Sequence, residues 1–112
     1  MKVAVLRSDD GVAMALEIDT SAIDPRRIVG VLERVPGVSR IERKFSYDTP
    51  VEFWYEGRGW VVHQPFGDSR DYRIFPPGDV VPEEHYVPLQ AAFARHRSLA
   101  RRLFDWCLRR SG

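Results

Sequence analysis

Glu52 and His63 are the two residues in the central part of the chain that could act together in chemistry. If Gly57 and Arg58 form a two-residue turn, the side chains of Glu52 and His63 face each other across neighbouring strands. A carboxylate beside an imidazole can adjust the imidazole for acid–base work near neutral pH. No G-x-S-x-G motif and no phosphate-binding glycine loop accompanies the pair. The residues therefore favour a cross-strand ion pair over an enzyme.

The side chains that could bind a soft metal are widely separated in the sequence. They are His63, His85, His96 and Cys107, and the last three follow H-x10-H-x10-C spacing. Zinc sites usually take their ligands in short pairs. The sequence therefore predicts no metal and no other cofactor.

The cysteine count and the first residues of the chain indicate the cellular compartment in which the protein is expected. A single cysteine cannot form an internal disulfide, so an oxidising compartment is not required. The apolar run at the start is too short for a signal peptide or a membrane span. We therefore expect a cytoplasmic protein with no membrane partner.

The C-terminal segment is the basic part of the chain. Residues 88–112 carry six arginines against one aspartate, although the net charge of the whole chain is +1. Such arginines can bind nucleic-acid phosphates or an acidic protein, or can form a solvated helix face. We take Arg95, Arg101 and Arg102 as candidate partner-binding residues.

A short segment within residues 51–75 is relevant to the hypothesis that the protein binds nucleic acid. Arg58-Gly59-Trp60 resembles the strand motif of RNA-recognition domains, with a basic residue, a glycine and an aromatic residue in order. The later aromatic residue of that motif is missing. The acidic remainder of the chain also disfavours a polyanionic partner, so nucleic-acid binding ranks second.

The elements that must position these residues begin with the strand-like run from Val51 to Phe75. Its alternating pattern and its small turns predict three short strands. The Gly57-Arg58 turn pairs Tyr55 with Trp60 and Trp54 with Val61. One face is then predicted to be buried in the core, and it carries Val51, Phe53, Tyr55, Trp60 and Val62. The other face is mixed and carries Glu52, Trp54, Glu56, Val61 and His63.

The rest of the chain predicts one more hairpin and two helices. Asp10-Gly11 is a hairpin turn signal that pairs Val5 with Leu16. Pro25 suits the first position of a helix, and Pro36-Gly37 stops it. A second helix is expected over about residues 89–109.

This order of elements predicts an α+β fold in a single domain, residues 1–112. Two layers are expected: a largely antiparallel sheet of four to five strands, and two helices. The element order is ββαββββα or ββαβββα.

An apolar patch on the second sheet face carries the functional prediction. Trp54 is expected there with Val61, Leu6, Ala15 and Phe75. Such a patch is covered either by the C-terminal helix or by another chain. We therefore expect a non-catalytic protein-binding module of the adaptor, regulatory or toxin-neutralising type. It is expected to bind another protein, or a second copy of itself as a homodimer, through a sheet face, the basic C-terminal helix or both. Its candidate partner-binding residues on the sheet are Trp54, Glu52 and His63; an enzyme using Glu52 and His63 ranks third.

Overall fold

The computed structural model describes residues 2–19, 25–44, 49–64 and 71–95. The strands are β1 (Lys2–Arg7), β2 (Ala13–Asp19), β3 (Ser39–Arg43), β4 (Val51–Tyr55), β5 (Arg58–His63) and β6 (Asp71–Phe75). The helices are α1 (Pro25–Leu32) and α2 (Tyr86–Arg95), with a short 3₁₀ helix at Glu83–His85. The α+β class is confirmed. The described sheet has six strands rather than four or five, and the elements follow the order ββαββββα.

All six strands form one antiparallel sheet in the order β1-β2-β6-β5-β4-β3. The last four strands form a meander that starts at the far edge and runs back to β2. The chain crosses from β2 to that far edge through α1. As a result, β1 and β3 are the two edges, and β5 and β6 lie in the middle.

Both described helices pack on one face of the sheet. The strand residues predicted to point inward, Val51, Phe53, Tyr55, Trp60 and Val62, are all buried. The helices contribute Ile28, Val31, Leu32, Leu89 and Phe93 to the same core. Each such side chain stabilises the fold by about 1.5–3 kcal/mol when it is removed from water. The alternating pattern of the sequence therefore identified the core face correctly.

The first hairpin keeps its predicted pairing but has a different turn. Val5 pairs with Leu16 as predicted. The loop has three residues and ends at Gly11, whose φ is 81°. A β-bulge next to the turn, where Arg7 pairs with Ala13, absorbs the extra residue. The Asp10-Gly11 two-residue turn is therefore wrong, and the bulge restores the register beyond it.

Prolines lie close to the start of both helices and just beyond the end of α1. α1 begins at Pro25 as predicted and ends at Leu32, before Pro36. α2 begins at Tyr86, three residues earlier than predicted, and contains Pro88 in its first turn. Proline is tolerated there because the N–H groups of a first turn have no partner within the helix. The predicted end of this helix lies outside the described residues.

Candidate functional site

The turn between β4 and β5 differs from the predicted one. Its two central residues are Glu56 and Gly57, with φ of 50° and 75°, and Tyr55 pairs with Arg58. Positive φ at both central positions is typical of a type I′ turn, whose twist matches that of the strands it joins. The predicted Gly57-Arg58 turn is wrong, and the pairing is shifted by two residues. A shift of two leaves every side chain on its predicted face and changes only its cross-strand partner.

The shift separates Glu52 from His63. Glu52 lies opposite Val61, and His63 lies opposite Arg73 on β6. The Glu52 carboxylate is instead 3.4 Å from the ammonium group of Lys44. The facing Glu52 and His63 pair expected from the sequence is therefore not formed, and the acid–base hypothesis loses the geometry on which it depended.

The sheet face turned away from both described helices carries Trp54, and we call it the open face. Trp54 is 41% exposed. It is the one exposed aromatic residue in the part of the chain that the structure describes. The other members of the predicted patch are more covered: Leu6, Val61 and Phe75 are half-buried, and Ala15 is buried. The predicted continuation of α2 past Arg95 lies outside the described residues.

Arg40 on the edge strand β3 lies over the Trp54 ring. Its guanidinium carbon is 5.6 Å from the ring centroid, which is within cation–π range. The φ of Arg40 is 50°, and a β-bulge shifts the pairing between Ser39 and Glu42. A non-glycine residue in this conformation costs about 1–3 kcal/mol. Bulges redirect side chains, and this one coincides with a cation placed on the ring.

Lys44 forms ion pairs with two carboxylates at the same edge. Its Nζ is 2.9 Å from Glu42 Oε2 and 3.4 Å from Glu52 Oε2. The hydrogen bond from Lys44, and then its charge, lower the pKa of Glu42; the hydrogen bonds to both carboxylates raise the pKa of Lys44. Arg40 has no carboxylate partner among the described residues. Its guanidinium group therefore keeps hydrogen-bond donors that no described carboxylate uses.

A hollow of about 320 Å³ opens on this face beside Trp54. Its lining includes the apolar residues Trp54, Val61 and Pro77 and the charged residues Arg40, Glu42 and Glu52. Gly59, directly across from Trp54 on β5, also lines the hollow. A Cβ atom placed on Gly59 would have no atom within 4 Å beyond its chain neighbours. The Trp54 ring therefore does not cover Gly59, and the space between them is open.

Sequence reasoning missed Arg40, Gly59 and Pro77 as members of this site. The signal that was available is Gly59 itself, because glycine inside a strand often marks a place where another molecule approaches the backbone closely. Nothing in the sequence indicated that Arg40 forms a bulge or that Pro77 borders the same hollow. These residues come from three different strand regions.

The candidate arginines lie on a different surface or outside the described residues. Arg95 is the last described residue of α2, and its Nε donates a hydrogen bond to the Ala91 carbonyl at 3.2 Å. Because α2 packs on the face opposite Trp54, Arg95 and Trp54 do not belong to one site. Arg101 and Arg102 lie outside the described residues.

The likeness to RNA-recognition strands does not extend to the role of its aromatic residue. Trp60 is fully buried in the core. Its Nε1 donates a hydrogen bond to the Tyr55 carbonyl at 2.9 Å. A ring in this position cannot stack on a base, so the motif lends no support to nucleic-acid binding.

Comparison of the chain with protein-family models, curated proteins and solved structures gave no match. Among the described residues, no group of three or more His, Cys, Asp and Glu side chains is placed to hold a metal ion. No helix in the same residues is long and apolar enough to cross a membrane. The candidate site therefore depends on its own geometry: an exposed tryptophan, a cation on its ring and an open hollow beside it.

Proposed function

We propose that this protein is a small non-catalytic module that binds another protein, or a second copy of itself, through the open face around Trp54. The observation that carries the proposal is the exposed Trp54 side chain beside an open apolar hollow. Tryptophan residues in such positions often dominate the energy of protein interfaces. A cytoplasmic location is part of the proposal and is supported by the single cysteine.

The charges of the open face favour a protein over a nucleic acid. The cations Lys44 and Arg73 are both close to carboxylates, with the Arg73 Nε 3.7 Å from Glu17 Oε2. A polyanion requires a surface of one sign, because its affinity comes largely from phosphate neutralisation. Alternating charges suit a protein surface that carries both signs. Nucleic-acid binding by the C-terminal arginines is the alternative.

A capture experiment with the tagged full chain tests the proposal. Trp54→Ala is compared with the parent in native lysate, with and without nuclease, and sedimentation of the purified proteins reports self-association. Val87→Ala is the matched control, because Val87 is 55% exposed on α2, on the other side of the sheet.

We expect Trp54→Ala to lose the captured protein, or the dimer, while Val87→Ala and nuclease treatment leave it unchanged. Urea midpoints of both variants are measured in parallel to establish that they remain folded. Capture that depends on intact nucleic acid would favour the alternative function. A protein partner or dimer retained by folded Trp54→Ala would refute the use of this face.

A further inference from the structure

We propose that the hollow beside Trp54 accepts one bulky apolar side chain from an extended peptide of a partner protein, and that Arg40 binds an acidic residue of the same peptide. This inference deepens the proposed function and rests on it. It names the chemistry of the partner, which the proposed function leaves open.

The first step is that the fold does not require a glycine at position 59. Gly57 needs its positive φ of 75°, whereas Gly59 lies in a regular strand, with no left-handed φ. A side chain at Gly59 would point into open space rather than into a neighbour. Glycine weakens strands relative to most residues. The missing side chain therefore has one clear structural effect, which is to leave the hollow empty.

The second step concerns the size and polarity of what fits. The hollow measures about 320 Å³, at the lower end of the range for ligand pockets. Trp54, Pro77 and Val61 line it with apolar groups, and Arg40, Glu42 and Glu52 line it with charged ones. An aromatic or branched aliphatic side chain matches the apolar part of this lining. Interfaces commonly place such an anchor in a pocket at their centre.

The third step concerns charge. Glu42 and Glu52, which also line the hollow, both have an ion-pair partner in Lys44. Arg40 has no such partner among the described residues, and the bulge holds its guanidinium on Trp54, beside the hollow. A carboxylate delivered by a bound peptide can form a charge-assisted hydrogen bond with it. The favoured peptide therefore carries Asp or Glu close to its apolar anchor.

The test is selection of a phage-displayed library of random peptides on the immobilised full chain. Gly59→Val fills the hollow with a residue that suits strands. Arg40→Asp reverses the charge with a residue that tolerates positive φ. Gly30→Ala is the matched control, because an added Cβ on Gly30 in α1 also meets no atom within 4 Å. Urea midpoints verify that each variant folds, and Gly59→Ser replaces Gly59→Val if the larger residue prevents folding.

We expect peptides selected on the parent to combine a bulky apolar residue with a nearby Asp or Glu. Their affinity should fall at least about tenfold on Gly59→Val and stay unchanged on Gly30→Ala. Selection on Arg40→Asp should favour Lys or Arg in place of the acid. Peptides with no acidic preference, or peptides that bind folded Gly59→Val as well as the parent, would overturn the inference.

The two proposals fail in different ways. If Trp54→Ala abolishes capture of a protein but the selected peptides show no acidic and apolar pattern, the open face binds a partner by other chemistry and only this inference falls. If folded Trp54→Ala retains its partner, the proposed function itself falls.

Discussion

Tyr55 offers a test of the packing that supports the β4–β5 hairpin. Its hydroxyl donates a hydrogen bond to the His85 carbonyl at 2.8 Å, and its own carbonyl accepts the bond from Trp60. The hydroxyl therefore ties the end of β4 to the 3₁₀ helix that precedes α2. Tyr55→Phe removes this one bond and leaves the buried ring in place.

We expect Tyr55→Phe to lower the free energy of unfolding by about 1 kcal/mol at pH 7, because one hydrogen bond to the His85 carbonyl is lost. A loss of that size corresponds to a fall in Tm of about 4 °C for a domain of this length. Urea unfolding followed by tryptophan fluorescence measures the change. Coincident midpoints for parent and variant would show that the bond does not contribute to stability.

The same residue makes stability depend on alkaline pH. Burial, and then the charge of Glu56, raise the pKa of Tyr55 above its ordinary value of 10.0. A raised pKa in the folded state means that the stabilising effect is complete below the unfolded pKa and is lost as pH rises through the folded pKa. The parent should therefore lose stability above about pH 10, and the gap between parent and Tyr55→Phe should narrow there.

Tyr86 provides the matched control for this experiment. Burial raises its pKa as well, but its hydroxyl has no hydrogen bond within the described residues. Tyr86→Phe should therefore reduce the alkaline loss while changing stability little at pH 7. A gap between parent and Tyr55→Phe that stays constant from pH 7 to about pH 11 would refute the assigned pKa shift of Tyr55.

Three further predictions concern the turn, the charged edge and the core. Glu56→Asn should raise the free energy of unfolding by about 0.5–1 kcal/mol, because Asn-Gly is favoured in a type I′ turn; a lower urea midpoint than that of the parent would contradict the turn assignment. Lys44→Gln should return the pKa of Glu42 towards 4.5 in an NMR titration, and any stability linked to that lowered pKa should be lost as pH falls, not as it rises. Trp60→Ala should lower the free energy of unfolding by about 3–5 kcal/mol, which thermal unfolding would show as a large fall in Tm. A fall of only a few degrees would show that Trp60 is not the centre of the core.

The alternation of residues was sufficient to assign the two faces of β4 and β5. Trp60 and Tyr55 are buried and Trp54 is exposed, as the pattern predicts, because successive side chains of a strand point to opposite faces. This property is local and does not depend on which residues pair. The same reasoning explains why a shift of two residues in the pairing left the predicted faces correct.

The pairing itself was decided by the turn and by packing across the sheet. Gly57 permits positive φ at either central position, so the sequence allowed both the Glu56-Gly57 and the Gly57-Arg58 turn. The observed turn lets the Trp60 indole reach the Tyr55 carbonyl, and a contact of this kind exists only in the folded state.

The candidate site depended still more on tertiary structure. Trp54 was identifiable from the sequence because a large apolar residue stood on a mixed face. The hollow requires Arg40, Gly59 and Pro77 to come together. They do so because β3, β4, β5 and β6 lie side by side in the sheet, with Arg40 on β3, Gly59 on β5 and Pro77 just after β6. Strand order and a bulge at Arg40 are long-range outcomes of packing. Residue alternation reports only which way a side chain points, so it could identify the tryptophan but not the space beside it.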